Sequence, residues 1–430
     1  MRSLLLLIII LWGLAKTFSR PWLGVCLWTW VSLMSPHRMT WGIASTFPIA
    51  QAIAGITLIS LFTGKQEKLN IWSRESIVLL MLIIWICIST VFAINPDAAK
   101  EHLVTVLKIQ LFVFLTLALI SDKEKLNIYI WVVALSVGFY GIKGGIFTIM
   151  TGGGARVWGP PGTFIGGNNE LALALLMVIP LMNYLRLQTK NKWIGRALII
   201  SMLLSAVSIL GTQSRGAFLG IAAIGFFFWL KSKQKMAATM MVGVISMIVL
   251  FFMPQTWWDR MNTIQTYEED ASAMGRINAW TVAYNVANDR ITGGGAGMFI
   301  PVVFREYAPN PEHVADSHSI YFEILGEQGW VGFTLYLILA FLTWRTCSKL
   351  SGRHNNDPNM QWAQDLGRML QVGLIGYFVS GAFLGLAYLD LYYNLVAIAI
   401  IAWKISLISK PGKIEFNNIS PAITGGTNAN

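Results

Sequence analysis

Thirteen apolar runs alternate with polar links along this chain, near residues 3–15, 21–34, 41–63, 75–93, 103–120, 127–150, 170–185, 195–211, 216–230, 236–253, 319–344, 367–387 and 391–409. Most approach the roughly 20 residues that a membrane-spanning α-helix needs. The first two are short and read as one broken span, a re-entrant hairpin or two thin helices, so the pattern predicts 12 or 13 spans. The fold class that follows is an all-α polytopic membrane protein with one large, partly helical external loop. The expected organisation is N-terminal membrane helices over 1–253, with a shorter external loop at 151–170. The large loop follows at 254–317, then C-terminal membrane helices at 318–409 and a disordered cytoplasmic tail at 410–430. Residues 1–15 resemble a signal-peptide core, but Lys16 and Arg20 follow it and no small-x-small cleavage site does, so a helix is expected there.

Composition agrees with the pattern, since 55% of the 430 residues are hydrophobic and only 12% are charged. No internal repeat is apparent. Cys26, Cys87 and Cys347 lie in or beside apolar runs and are odd in number, which predicts neither a disulfide nor a metal site.

The net charge of +11 matters less than its placement. One set of loops carries Lys65, Lys68, Arg74, Lys123, Lys125, Arg186, Lys190, Lys192, Arg196, Lys231, Lys233, Lys235, Arg345, Lys349, Arg353, Arg368, Lys404, Lys410 and Lys413. The alternate loops hold Arg38, Lys100, Arg156, Arg215 and the four arginines of the large loop. The positive-inside rule puts the first set in the cytoplasm and the large loop outside. Nucleic acid is thereby excluded as the reason for the basic balance, and cytoplasmic nucleotides are disfavoured as substrates.

The large loop is a polar island that a purely spanning protein has no need of. Within it, 271–289 has helical spacing, with Arg276, Trp280 and Tyr284 on one face and Asn288-Asp289 at its end. Residues 253–258 read as an interfacial aromatic belt. The island is net acidic, so any arginine that matters there acts locally.

Several residues carry candidate chemistry. Arg215 opens a helix that Thr212 and Ser214 can cap. A cation there opposes the helix dipole, which makes sense if an anion shares the site; the alternative is snorkelling to the interface. Arg276 is either a second phosphate ligand beside an aromatic platform, Trp280, or a solvated arginine stacked on that ring. His318 is expected to begin the helix after the island, capped by Asp316 and Ser317, as a general base or as an interfacial histidine. Gly293-Gly-Gly-Ala-Gly297 lacks the residues of a P-loop and reads as a tight turn or a backbone nest for phosphate. Lys143, near the outer end of an apolar helix, is a functional candidate or a snorkelling lysine. Glu323 and Glu327 share a helix face and could orient arginines or help to bind an ion; Glu268-Glu-Asp270 is the only acidic run, so a divalent metal is compatible with the sequence but not required by it.

The ordered set Thr212-Gln-Ser-Arg215-Gly, Arg276-x-x-x-Trp280, Gly293-x-Gly295-x-Gly297-x-Phe299 and His318 leading to Gly326-Glu327-x-Gly329-x-x-Gly332 resembles the O-antigen ligase family of membrane glycosyltransferases. Lys143-Gly-Gly, Arg156-Val-Trp-Gly-Pro-Pro and Asn168-Asn-Glu resemble the branch of O-glycosylation ligases associated with exosortase systems. The resemblance implies a GT-C-like fold in a bacterial inner membrane. It implies inverting, metal-independent and cofactor-free transfer of a glycan from undecaprenyl diphosphate to a hydroxyl, on the periplasmic face. The acceptor would be a lipid A-core sugar. On the same resemblance His318 is the base, Arg215 and Arg276 hold the diphosphate, and Arg156 and Lys143 are second candidates for that charge. Trp280, Gly295 and Gly297 contribute to substrate binding, with Ser214, Glu323, Glu327 and Asn169 in support. A protein O-oligosaccharyltransferase or a glycan polymerase shares these motifs. A transporter of lipid-linked sugar, the reading from another class, predicts internal repeats and broken helices.

Overall fold

The computed structural model describes residues 2–40, 48–63, 69–231, 271–352 and 358–408, and every regular element among them is helical. The helices are α1 (Arg2–Ser19), α2 (Pro21–Met34), α3 (Ile49–Thr63), α4 (Arg74–Val91), α5 (Pro96–Leu119), α6 (Lys123–Met150), α7 (Asn168–Gln188), α8 (Lys192–Gly211) and α9 (Arg215–Lys231). After them come α10 (Ala271–Asp289), α11 (Pro301–Tyr307), α12 (Ile320–Gly352), α13 (Gln361–Gly381) and α14 (Asp390–Ile408). Twelve of the thirteen apolar runs are thus helices among the described residues. The run at 236–253, the first part of that at 41–63, the aromatic belt at 253–258, the acidic run at 268–270 and the tail at 410–430 lie outside them.

Seven of these helices, α4 to α8, α12 and α14, are long and apolar enough to cross a membrane, and α1, α2, α3 and α9 are shorter apolar helices. The chain is a multi-pass membrane protein. α13 differs from both groups, because Gln364, Asp365, Arg368 and Gln371 occupy its first half; Gln364 and Gln371 are buried. The first two runs resolve into two separate helices. Gly13 faces Leu27 and Gly24 faces Thr17, so α1 and α2 form an antiparallel hairpin that turns at Arg20.

Local sequence explains most helix starts. Ser73 and Ser76 form a capping box for α4, Asn95 caps α5 ahead of Pro96, Asp122 caps α6, and Asn191 caps α8. Close helix contact comes from small residues. A Cβ on Gly145 of α6 would lie 2.1 Å from the Leu204 carbonyl oxygen of α8, so only glycine permits this approach. The most buried of the seven spanning helices are α7 and α14, and the least buried is α8, which places the last at the periphery.

The two sets of charged loops fall at opposite ends of the helices. Arg74, Lys123, Lys125, Arg186 and Lys192 stand at one end. The loops that carry Arg38, Arg156 and Arg215 come together at the other. There Arg38 Nη1 donates to the Pro161 carbonyl of the 151–170 loop, and Arg156 Nε of that loop donates to Gln213 Oε1.

Candidate active site

Three helix ends meet where the sequence places its candidate residues. α9 begins at Arg215, and Ser214 caps it by accepting from Ala217 N–H at 3.2 Å. Thr212 instead closes α8, with its hydroxyl on the Ile209 carbonyl at 2.6 Å. Gln213, between them, takes a left-handed φ of 55° and bridges to the 151–170 loop. Its amide accepts from Arg156 and donates to the Gly153 carbonyl at 3.2 Å. Asn168 adds a bond to the Thr212 carbonyl at 2.8 Å. The asparagine that reaches this turn is therefore Asn168, while Asn169 lies half-buried in the first turn of α7.

The start of α9 packs on the C-terminal end of α13, since a Cβ on Gly216 would lie 3.5 Å from the Ser380 carbonyl oxygen. The start of α12 packs on that same end. Ile320 covers Gly381, and Tyr321 Oη donates to the Phe378 carbonyl at 3.0 Å. Arg215 and the residues leading into α12 thus flank one helix end.

His318 stands two residues before α12, not in its first turn, which corrects the expected capping by Asp316 and Ser317. It takes a φ of 42°, a region few non-glycine residues adopt, and its side chain is exposed. The Ser319 carbonyl accepts the first α12 bond, from Glu323 N–H at 2.8 Å. Strain of this kind persists only where neighbours over-determine it, and α10 provides those neighbours. Trp280 Nε1 donates to the Ser317 carbonyl at 2.7 Å, while its ring stacks on Phe322 with centroids 4.8 Å apart. Asn278 Nδ2 donates to the carbonyls of Asn310 and His313, and Asn278 Oδ1 accepts from Asn310 N–H. Asn285 Nδ2 holds the Tyr307 carbonyl at 2.9 Å. One helix thus clasps the whole 307–317 segment that delivers His318, and Arg276 sits one turn before Trp280 on that helix. Trp280 thereby ties the backbone beside His318 to α10.

Trp280→Phe should keep the stack on Phe322 and lose the donor to the buried Ser317. Leaving such an acceptor unmet costs about 1–3 kcal/mol. Turnover is expected to fall about tenfold with donor affinity unchanged; equal turnover in the two proteins would remove Trp280 from the positioning of His318.

The glycine turn answers a different need. α12 breaks at Gly329, whose φ and ψ are 63° and −173°. The break frees the carbonyls of Gly326, Glu327 and Gln328 inside a spanning helix, where water is not at hand to satisfy them. Gly294 N–H donates to the first, Gly295 N–H and Ser89 Oγ to the second, and Trp85 Nε1 to the third, at 2.8–2.9 Å. Gly297 N–H donates to Glu327 Oε1 at 2.9 Å. The N–H groups of Gly294, Gly295 and Gly297 are therefore spent on α12, and the turn acts as a cap for a broken helix. Arg290 belongs to the same assembly, reaching the carbonyls of Phe92 and Gly293.

Glu323 and Glu327 take neutral donors. Glu323 Oε2 accepts from Ala387 N–H at 2.9 Å, and Glu327 Oε2 accepts from Tyr388 Oη at 2.8 Å. Burial, and then the two carboxylates, push the Tyr388 hydroxyl far above the usual phenol range, so it remains a donor. Among the described residues no three His, Cys, Asp or Glu side chains group as metal ligands.

Lys143 and Arg156 line one cavity of about 230 Å³ with Tyr140, Gly144, Phe147, Val157 and Trp158. The Arg156–Gln213 bond links this cavity to the turn that presents Arg215. Sequence reading missed Gln213, Asn278, Asn285 and Tyr388. The two asparagines are seven residues apart, two helical turns on one face of α10, and that spacing is the signal that could have revealed the clasp.

Residues 200–337 match the family described as O-antigen ligase. Residues 1–190 match a family of unknown function, DUF5935. No curated protein matches the chain. The first match runs from α8 into α12 and contains Arg215, Arg276, the glycine turn, His318 and both glutamates. Lys143 and Arg156 fall in the second.

Proposed function

We propose, on the match of residues 200–337 to the O-antigen ligase family, that the chain transfers a glycan from undecaprenyl diphosphate to an acceptor hydroxyl on the periplasmic face of a bacterial inner membrane, with a lipid A-core sugar as the acceptor. The observation that carries this reading is the convergence of the Arg215 helix start, the end of α13 and the residues leading from His318 into α12, with Arg276 one turn before Trp280 on the helix that holds the Ser317 carbonyl.

The chemistry is a single displacement. The acceptor oxygen attacks the anomeric carbon as the bond from that carbon to the diphosphate oxygen breaks, so configuration inverts. His318 takes the hydroxyl proton, and its exposed imidazole suits a bulky sugar or polymer acceptor. The diphosphate leaves on its lipid with a negative charge, which Arg215 and Arg276 stabilise. Arg215 acts with the N–H groups of the first α9 turn, where helix dipole and guanidinium favour the same anion. Fixed guanidinium groups make a divalent metal unnecessary, so transfer is expected to proceed in chelator. Loss of activity in chelator, restored by a divalent cation, would contradict this.

Arg215→Ala tests the diphosphate assignment. Removing a charged hydrogen bond to phosphate costs about 1.5–3 kcal/mol, so binding of the lipid-linked donor should weaken about 10- to 100-fold and turnover should fall with it. Donor affinity and rate both equal to those of the unaltered protein would take Arg215 out of the site.

A further inference from the structure

The outer end of α2 carries more polar groups than a helix end needs, and they border a cavity of about 200 Å³. Ser32 and Ser35 close α2, His37 and Arg38 follow in one short 3₁₀ turn, and Asp390 opens α14 beside them. Residues 162–165 of the 151–170 loop and Ala50 of α3 complete the walls. All of these but Asp390 fall within the match of unknown function at 1–190, and none falls within the O-antigen ligase match.

Asp390 is the costly member. It is only 6% exposed, and no cation pairs with it among the described residues. Ser32 Oγ donates to its Oδ2 at 2.5 Å, which meets one of the roughly four lone-pair positions of a carboxylate. The wall that carries Ser32 is fixed. Ser35 takes a left-handed φ of 47° and its hydroxyl bonds the Ser32 carbonyl, while Tyr140 Oη holds the Met34 carbonyl. His37 Nδ1 is buried without a partner, an omission that turning the ring onto a ligand would repair. Burial, and then Arg38, push the His37 pKa below its ordinary value, so the imidazole is neutral and can both donate and accept. Arg38 stands exposed at the rim, held over Gly162 by the Pro161 carbonyl. Trp28, stacked on Phe112 with centroids 3.8 Å apart, and Phe164 add flat apolar wall.

These groups select a ligand by exclusion. A phosphate would meet the like charge of Asp390. An acyl chain would strip water from a carboxylate, a guanidinium and an imidazole and return no hydrogen bond. A neutral ring rich in hydroxyls does the reverse, since it donates to Asp390, accepts from Arg38 and lays its C–H faces on the aromatic wall. The volume lies below the roughly 300–1,000 Å³ of larger ligand sites, which suits a single ring. We propose that this cavity binds one neutral pyranose of a substrate glycan, with Asp390 and Arg38 as its main polar contacts. The cavity is also tied to the candidate active site. The loop that walls it reaches Gln213 through Arg156, and the link before Asp390 reaches Glu323 and Glu327 through Ala387 and Tyr388. The sugar follows from the donor set, whereas its place in a donor glycan or an acceptor rests on the function proposed above.

The test is saturation-transfer NMR on the full-length protein in nanodiscs, with the methyl glycosides of glucose, galactose and mannose and with methyl glucuronide as probes. At least one neutral glycoside is expected to receive saturation, and the glucuronide, which carries a carboxylate, is not. The signal should fall about tenfold in D390N, the scale of a lost hydrogen bond to a charged group. It should fall to a similar extent in A50F, which fills the cavity from α3 and leaves every polar group in place. No transfer to any neutral glycoside, or transfer undiminished in both variants, would overturn the site. Equal transfer to the glucuronide would overturn the neutral ring. In the reconstituted reaction the same variants should raise KM about tenfold for one substrate: the acceptor if the ring is the acceptor's, the lipid-linked glycan if it is the donor's. A rise for neither would overturn the link to glycan transfer. Binding that behaves as expected in a protein that moves no glycan would keep the site and reject the glycosyl-transfer reading.

Discussion

His318→Ala is expected to lower turnover by about 10²–10⁴-fold, the usual scale of a lost general base, while binding of the lipid-linked donor persists. The expectation rests on placement. His318 lies in a left-handed turn immediately before α12, its side chain is exposed, and the backbone on its N-terminal side is clamped by Trp280 and Asn278 from α10. A histidine that merely sat at an interface would need none of these clamps. The substitution removes no buried contact, and alanine is a small residue, so the fold should survive; its cost at φ 42° is about 1–2 kcal/mol at most. Near-normal turnover would sink the base assignment. Loss of donor binding as well would show that the imidazole contacts the carrier instead.

Gly329→Ala is expected to destabilise the protein by about 3 kcal/mol or more. The backbone at Gly329, φ 63° and ψ −173°, is in a region used almost only by glycine, and another residue there pays about 1–3 kcal/mol in strain. Packing adds to this. A Cβ at Gly329 would lie 2.5 Å from the Ile291 carbonyl oxygen and 2.9 Å from Gly293 N, both backbone atoms that cannot rotate away. Relief would require the glycine turn to move off α12, which would strip donors from the carbonyls of Gly326 and Glu327. Gly225→Ala is the control, because a Cβ at that position in α9 meets nothing within 4 Å. Thermal unfolding of the purified proteins should separate the two clearly, with the Gly225 variant close to the unaltered protein. Equal unfolding temperatures would mean that the break in α12 is not held as described.

Much of the fold is legible in the sequence, because hydrophobic periodicity is a local property. The apolar runs within the described residues become helices, and the island helix spans Ala271–Asp289 as its spacing and terminal Asn-Asp indicate. What eludes sequence reading is non-local. The glycine cluster reads equally as a turn or a phosphate nest until the break in α12 shows which carbonyls need its N–H groups. The same limit applies to Trp280, whose partners Ser317 and Phe322 lie about 40 residues away in the chain. The ordinary helix-start pattern Asp-Ser-His suggests a capped first turn, whereas the clasp from α10 delays α12 to Ile320. The described part of the island also proves tied to α4 and the link after it, through Ser89 Oγ on the Thr292 carbonyl at 2.9 Å and Ile94 N–H on the Gly294 carbonyl at 2.8 Å, and to α12 through Gly294 N–H on the Gly326 carbonyl at 2.8 Å. It is fixed in place, and it holds the segment that delivers His318.

The charge map deserves the same physical reading. Cations crowd one end of the bundle, while at the other Arg38 and Arg156 meet in the 151–170 loop and Arg215 opens α9 beside it. Their small number makes each one informative, since a broad positive field would bind any anion while a few fixed guanidinium groups select a geometry.

The most direct test of the account is reconstitution of the full-length protein in nanodiscs with a glycan linked to undecaprenyl diphosphate, a lipid A-core acceptor and a chelator, followed by analysis of both lipids. The account predicts glycan on the acceptor and free undecaprenyl diphosphate in equal amount, with neither formed by His318→Ala at more than about a hundredth of the normal rate. Longer glycan that remains on undecaprenyl diphosphate, with the acceptor unmodified, would contradict it.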